Sequence, residues 1–177
     1  MSLKNNFLLM SEYNKWMNES LYSAASSLSH EDLAKNRGAF FGSIIATLNH
    51  ITVADIIWLE RFSKHPNGFP ILDNVYSQPS SLKLDSILFT DLNDLKRERV
   101  LLDNTIVEFV KLLTDEVLAS NFSYKNTKGI PFKQCFGHVV QHFFNHQTHH
   151  RGQLSTLLSQ LGIEVGVTDL LAKIPSA

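Results

Sequence analysis

The sequence predicts an all-α fold: a four-helix bundle with a long crossover between helices 2 and 3 and a small hairpin ahead of helix 4. Three observations carry this prediction. Apolar residues recur at helical spacing in four long segments. A stretch rich in proline, glycine and serine separates the second segment from the third. Length and composition then set the scale, because 177 residues with a hydrophobic fraction of 44% suit one domain over 1–177 with a sizeable core.

Helix 1 is expected from Lys4 to about Leu28, with Phe7, Leu8, Met10, Tyr13, Trp16, Met17, Leu21 and Ala24 on its apolar face. Ser29, followed three residues on by Asp32, has the spacing of a cap for a short turn. Helix 2 is expected from about Gly38 to Phe62, striped by Ile44, Leu48, Ile51, Trp58 and Phe62. Ser63–Ser81 holds His65-Pro-Asn-Gly68, Pro70 and Pro79 and reads as an irregular connection. A connection of that length can carry the chain along the whole bundle, so that helices 2 and 3 run parallel. Helix 3 is expected over Leu84–Leu118, with a break near Asp103-Asn104. Phe122-Ser-Tyr124, a turn at Asn126-Thr-Lys-Gly129 and Ile130-Pro-Phe132 make the hairpin, which must lean on the helices to persist. Helix 4 follows from about Lys133 to Leu161, stopping at Gly162, and Thr168–Ala172 adds a helical turn or two. Trp16, Trp58 and the twelve phenylalanines are read as core.

Sixteen basic and seventeen acidic residues give a net charge of -1, which offers no electrostatic reason for a nucleic-acid or anionic-membrane partner. That balance, with no basic helix, also argues against a DNA-binding metalloregulator. The start of the chain has no basic region followed by an apolar core, and no apolar run approaches the roughly 20 residues that span a bilayer. The only cysteine, Cys135, cannot form an intrachain disulfide, so a reducing, cytoplasmic location is expected. At the start of helix 4 it reads as a packing residue.

Histidine is the residue type that carries chemistry. Five of the eight fall at 138, 142, 146, 149 and 150. Positions 138, 142, 146 and 150 are four apart, so neighbours adjoin on a helix, but each step drifts by about 40°. At most two adjacent members can converge on one ion. Phe136, Val139, Phe143, Leu154, Leu157 and Leu161 lie within about 40° of His150, and His146 within about 40° to one side. His142 falls at the margin of the apolar face; His138 and His149 point further out. His146 and His150 are therefore the pair turned inward, and a third ligand must come from another helix. His50, the only histidine within helix 2, lies where it could face helix 4.

Two partly buried imidazoles resist charging, and a divalent cation removes that penalty by binding the neutral rings. The i, i+4 pair has the ligand spacing of the zinc-protease helix, but Gln147 stands where that motif has its glutamate base, so a protease assignment fails. Three imidazoles leave a coordination position free, as in catalytic sites. Zinc or nickel are the leading candidates for the single divalent ion expected, although imidazole also suits iron. Around the expected ligands, His142 or Asp55 could orient a ring or relay a proton, Asp55 alternatively being a surface charge. Arg151 and Gln153 could brace the helix or a second subunit, or lie near a substrate. His30 and His65, in turn sequence, are expected at the surface.

Asn145-His-Gln-Thr-His-His-Arg-Gly-Gln153 closely resembles the fourth-helix signature of the DinB/YfiT-like superfamily. Leu48-Asn-His-Ile-Thr-Val-Ala-Asp-Ile-Ile-Trp58 is similar to its second-helix signature, Tyr13-Asn-Lys-Trp-Met-Asn-Glu19 to its first, and Thr168-Asp-Leu170 to its closing pattern. The resemblance implies an up-down-down-up bundle, a metal site on His50, His146 and His150, and a homodimer. Characterised branches include S-transferases and an isomerase that use low-molecular-weight thiols. On that basis the chain is expected to activate a thiol or water on a metal and present it to a small electrophile, with hydrolysis open because the two compete for one position. The alternative class is a non-catalytic metal-binding protein, stress- or damage-inducible, or a dimeric interaction module.

Overall fold

A computed structural model describes residues 2–73, 75 and 82–176. Four long helices dominate: α1 (Leu3–Ala25), α3 (Ile44–Ser63), α4 (Leu92–Leu112) and α6 (Phe136–Ser159). Two short helices, α2 (His30–Ala34) and α5 (Asp115–Ala119), and one hairpin, β1 (Asn121–Lys125) with β2 (Pro131–Cys135), lie between them. The fold is thus mostly helical with a two-stranded sheet. Among the described residues no helix is long and apolar enough to cross a membrane.

Caps place most helix starts. Ser2, Ser29, Ser43 and Thr114 each accept a hydrogen bond from a backbone N–H in the first turn of α1, α2, α3 and α5, and Asp91 accepts two in α4. These caps correct three expected boundaries. Helix 2 was expected from Gly38, but Gly38 and Gly42 adopt φ near +70° and +80°, which fold 38–43 into a tight turn, and α3 begins only after Ser43. Helix 3 was expected from Leu84, but α4 begins after Asp91. It ends at Leu112, because Leu113 is extended and α5 starts anew from Thr114. It does not break at Asp103-Asn104, since the Asp103 side chain turns inward to buried partners instead of competing for the backbone.

Helix 4 was expected from Lys133, yet Lys133, Gln134 and Cys135 pair with Ser123, Phe122 and Asn121 in the hairpin, and α6 starts at Phe136. Its first N–H donates to Ser120 O rather than to a capping side chain. Helix 1 stops at Ala25, short of Leu28. Within the expected Ser63–Ser81 connection, Phe69 and Leu72 are buried around a 3-10 turn at Pro70–Leu72; residues 74 and 76–81 lie outside the described residues.

α1 packs against α4 and α6, and α3 packs against the same two. Lys4 Nζ donates to Lys111 O and Asn18 reaches Asp103; Phe7 stacks on Phe144 and Arg151 donates to Asn14. Asp55 pairs with Arg99 and Phe62 stacks on Phe109, while His50 meets His146 and Phe62 meets Phe136.

The apolar core falls into two parts. One is built on Phe7, Phe62, Phe69, Phe109, Phe122, Phe136, Phe143 and Phe144 and supports the hairpin; the other centres on Leu21, Ile44, Leu48, Leu95, Leu154 and Leu158. On each long helix a group of buried polar residues lies near where one cluster gives way to the other: Asn14 and Asn18 on α1, Asp55 on α3, Arg99 and Asp103 on α4, Gln147 and Arg151 on α6. This polar waist sets the level at which the candidate site forms.

Candidate metal centre

α3 and α6 bring His50, His146 and His150 together at the waist. Their Nε2 atoms form a nearly equilateral triangle, 3.2 Å from His50 to His146, 3.1 Å from His50 to His150 and 3.1 Å from His146 to His150. The ring planes are splayed at 55° to 75° to one another, so the nitrogens converge while the rings diverge. Their ligand atoms could hold a metal ion.

The protons on the far side of two rings decide what the near side can do. His50 Nδ1 lies 2.7 Å from Leu84 O. A carbonyl only accepts, so Nδ1–H donates and Nε2 keeps its lone pair. His150 Nδ1 lies 2.8 Å from Gln153 Oε1 and donates in the same way, again leaving Nε2 bare. Two lone pairs therefore face each other at 3.1 Å with at most one proton, on His146, to share between them. Protonation does not relieve this. Burial first, then repulsion from His150 and His50, holds His146 down at about 3. Burial also lowers His50 and His150. The donor set fits a divalent cation instead: two imidazole nitrogens at about 2.0–2.1 Å from one tetrahedral zinc stand roughly 3.3–3.4 Å apart.

The surroundings of the triad hold two residues that sequence reasoning missed. Phe41, expected inside helix 2, lies in the turn before it. Its ring stacks on His50 with centroids 3.8 Å apart and meets the His150 ring edge-on at 5.6 Å. Leu84, also expected in a helix, is in the connection and acts through its backbone oxygen. Neither had a signal in the sequence, because a stacking turn residue and a main-chain acceptor carry no characteristic side-chain spacing.

The other flagged residues separate. Gln153 touches the site through His150. His142 is exposed, one turn before His146, with its ring 6.2 Å from that of His146 and 5.4 Å from Trp58. Asp55 is neither at the surface nor against a ligand ring: it is fully buried, accepts from Gln147 Nε2 at 2.7 Å and pairs with Arg99 at 2.5 Å. Arg151 is buried toward α1, where it donates to Asn14 Oδ1 and lies over the Tyr13 ring. Burial pulls its guanidinium down to about 10. His138 and His149 are exposed. His30 is exposed as expected, but His65 is not: it is packed on Phe136 at 4.4 Å and hydrogen-bonded to Ser120 Oγ at 3.1 Å, because the connection folds back over the phenylalanine cluster.

A cavity of about 430 Å³ runs beside α6, lined by Trp58, Tyr124, Gln134, Cys135, His138, Val139 and His142. It reaches the residue one turn before His146 but is not lined by the triad itself. Cys135 within it is half-buried and donates its S–H to Leu118 O, 3.3 Å away.

The family model described as "DinB family" matches residues 1–177. Protein DinB of Bacillus subtilis (strain 168) is 25% identical over 162 residues, covering 89% of this chain and 87% of that protein. The crystal structure of a DinB-like protein from Bacillus cereus ATCC 10987 superposes with a TM-score of 0.59 at 19% identity, covering 92% of this chain and 95% of that one, and so shares the fold. With its whole length matched by the family model, the chain belongs to the DinB family.

Proposed function

We propose that this DinB-family protein binds one divalent metal ion, zinc or nickel, through His50, His146 and His150, and uses it as a metal-dependent enzyme of the thiol S-transferase type. The observation that carries the reading is the pair of bare Nε2 lone pairs, on His50 and His150, held face to face at 3.1 Å. A fold does not keep two buried acceptors opposed unless a cation or donor joins them. A divalent ion held there would supply Lewis acidity, lowering the pKa of a thiol or water at its free position.

The chain's own residues do the rest. Leu84 O and Gln153 Oε1 hold the rings in the ligating tautomer. Phe41 covers one face of His50 and keeps water from it. The cavity bounded by His142 and Trp58 offers room for a small electrophile one turn along α6. Topology belongs to the same proposal: an up-down-down-up bundle forming a single domain. It is supported by the contacts, whose numbering rises together along α1 with α6 and α3 with α4, and oppositely along α1 with α4 and α3 with α6. Side-by-side exposure of Val100 and Leu101 on α4 supports a homodimer through that face.

The experiment is conjugation of low-molecular-weight thiols to a chlorinated aromatic or an epoxide by metal-loaded protein. Metal-dependent turnover above the uncatalysed rate is expected. A loaded protein inert toward several thiols, and toward ester hydrolysis, would leave a non-catalytic metal-binding role.

A further inference from the structure

We infer that Asn49 is a positioning residue for the metal centre, acting through the connection before α4 to set the tautomer of His50. The inference rests on the metal reading of the triad, but its test does not need the metal. Asn49 is fully buried, adjacent to His50 on α3, and every hydrogen-bonding position of its amide is filled. Its Nδ2 donates to Ile45 O at 2.9 Å and to Phe89 O at 2.8 Å; its Oδ1 accepts from Leu88 N at 2.8 Å and Phe89 N at 3.0 Å. Two donors and two acceptor sites are all that an asparagine side chain has. Reversing the amide would oppose its NH2 to two N–H groups, so one orientation is fixed.

Three of those four bonds go to Leu88 and Phe89. They fasten the otherwise irregular residues 82–91 to α3 one residue from His50. Five residues before Phe89, the same segment makes a reciprocal turn: Ser86 N donates to Lys83 O at 3.0 Å and Lys83 N donates to Ser86 Oγ at 3.1 Å. Leu84 stands at the corner of that turn, half-exposed in its side chain, and presents its carbonyl to His50 Nδ1. A backbone carbonyl on an unfastened loop cannot hold a ring. Here Asn49 anchors one end of the loop, the turn sets its shape, and the carbonyl fixes the imidazole proton on Nδ1, leaving Nε2 free to ligate.

The test is nitrogen-15 NMR of histidine-labelled, metal-free protein, with zinc affinity measured by chelator competition on the same samples. The wild type is expected to show His50 as the single Nδ1–H tautomer. In Asn49→Ala, His50 is expected to divide between tautomers, and zinc affinity to fall about 10- to 100-fold, the range seen when such outer partners are lost. Ser86→Ala, in a largely exposed turn that bears no core weight, removes one of the turn's two bonds without touching Asn49 and shifts both readouts the same way by less, which keeps the test decisive if Asn49→Ala fails to fold. Retention of the single Nδ1–H tautomer in both variants overturns the inference, as does a wild type already divided between tautomers. A tautomer shift in a protein that binds no zinc upholds the role of Asn49 while removing the metal reading.

Discussion

Two polar clusters lie side by side at the waist of this protein, and they solve burial in opposite ways. The first joins Asp55, Arg99, Asp103, Asn14, Asn18, Gln147 and Arg151 across all four long helices. It holds two guanidinium groups against two carboxylates, so its formal charges cancel. Arg99 reaches both acids, pairing with Asp55 and lying 3.1 Å from Asp103, and the two asparagines complete Asp103. Burial pulls the Arg99 guanidinium down, but Asp103 and Asp55 outweigh it and keep the group charged. The second cluster, His50, His146 and His150, has no carboxylate against its rings among the described residues, and its nitrogens converge on one point. A buried polar cluster closed in charge reads as architecture, although Arg99 Nε and Nη2 and Gln147 Oε1 find no hydrogen-bond partner in it; one whose lone pairs converge with no charge to meet them reads as a site.

The largest expected effect comes from opening the closed cluster. Asp55→Ala leaves Arg99 with one carboxylate and Gln147 with none. It is expected to lower unfolding free energy by about 3–5 kcal/mol in urea titrations, the loss typical of a buried pair broken on one side. A loss under about 1 kcal/mol would mean that the cluster is not a structural unit. Next, on the histidine side, Gln153→Ala frees the His150 proton to move to Nε2. Metal affinity is expected to weaken about 10- to 100-fold while urea stability of the metal-free protein changes little, so the two clusters would separate by readout.

The pH response separates them as well. The folded-state values of the triad lie below the ordinary histidine value of about 6.5, so the unfolded chain takes up protons that the folded protein refuses. Stability of the metal-free protein is therefore full above about pH 6.5 and declines on acidification, with His146 contributing up to about 1.4 kcal/mol per pH unit below it until its own value of about 3. Asp103 has the opposite sign: burial, against the pull of Arg99, raises it to about 6, so protonation below that pH favours the folded state. A melting series from pH 7.5 to 5 is expected to fall in the wild type and to flatten in His146→Ala. A wild-type curve that rises on acidification would show the closed cluster dominating instead. The smallest effect is expected at His142→Ala, which removes an edge contact with Trp58 worth about 0.5–1.5 kcal/mol and leaves metal stoichiometry unchanged.

What the sequence revealed follows the same division. The inward pair His146 and His150 could be read from one helix, because the apolar face of α6 and a 3.6-residue period are local facts. The meeting with His50 relied on a separate helix at the right level, and the resemblance over both signatures carried that step. The closed cluster was invisible: Asp55 and Arg99 are 44 positions apart, Asn14 and Arg151 137 apart, and each alone looks like an ordinary polar residue on a helix. Helix starts were misplaced where apolar residues continue past the true end of a helix. Phe40 and Phe41 extend the stripe of α3 into a glycine-bounded turn, and Leu84, Ile87 and Leu88 extend that of α4 into the connection. Periodicity reports which faces are apolar; the caps Ser43 and Asp91 decide where the helix begins.

Metal content of tag-free protein, measured by elemental analysis after equilibration with zinc or nickel and removal of the excess, tests the central claim most directly. One equivalent per chain in the wild type and none in a helical, folded His146→Ala protein is the predicted result. No metal in the wild type, or a full equivalent retained by His146→Ala, would contradict it.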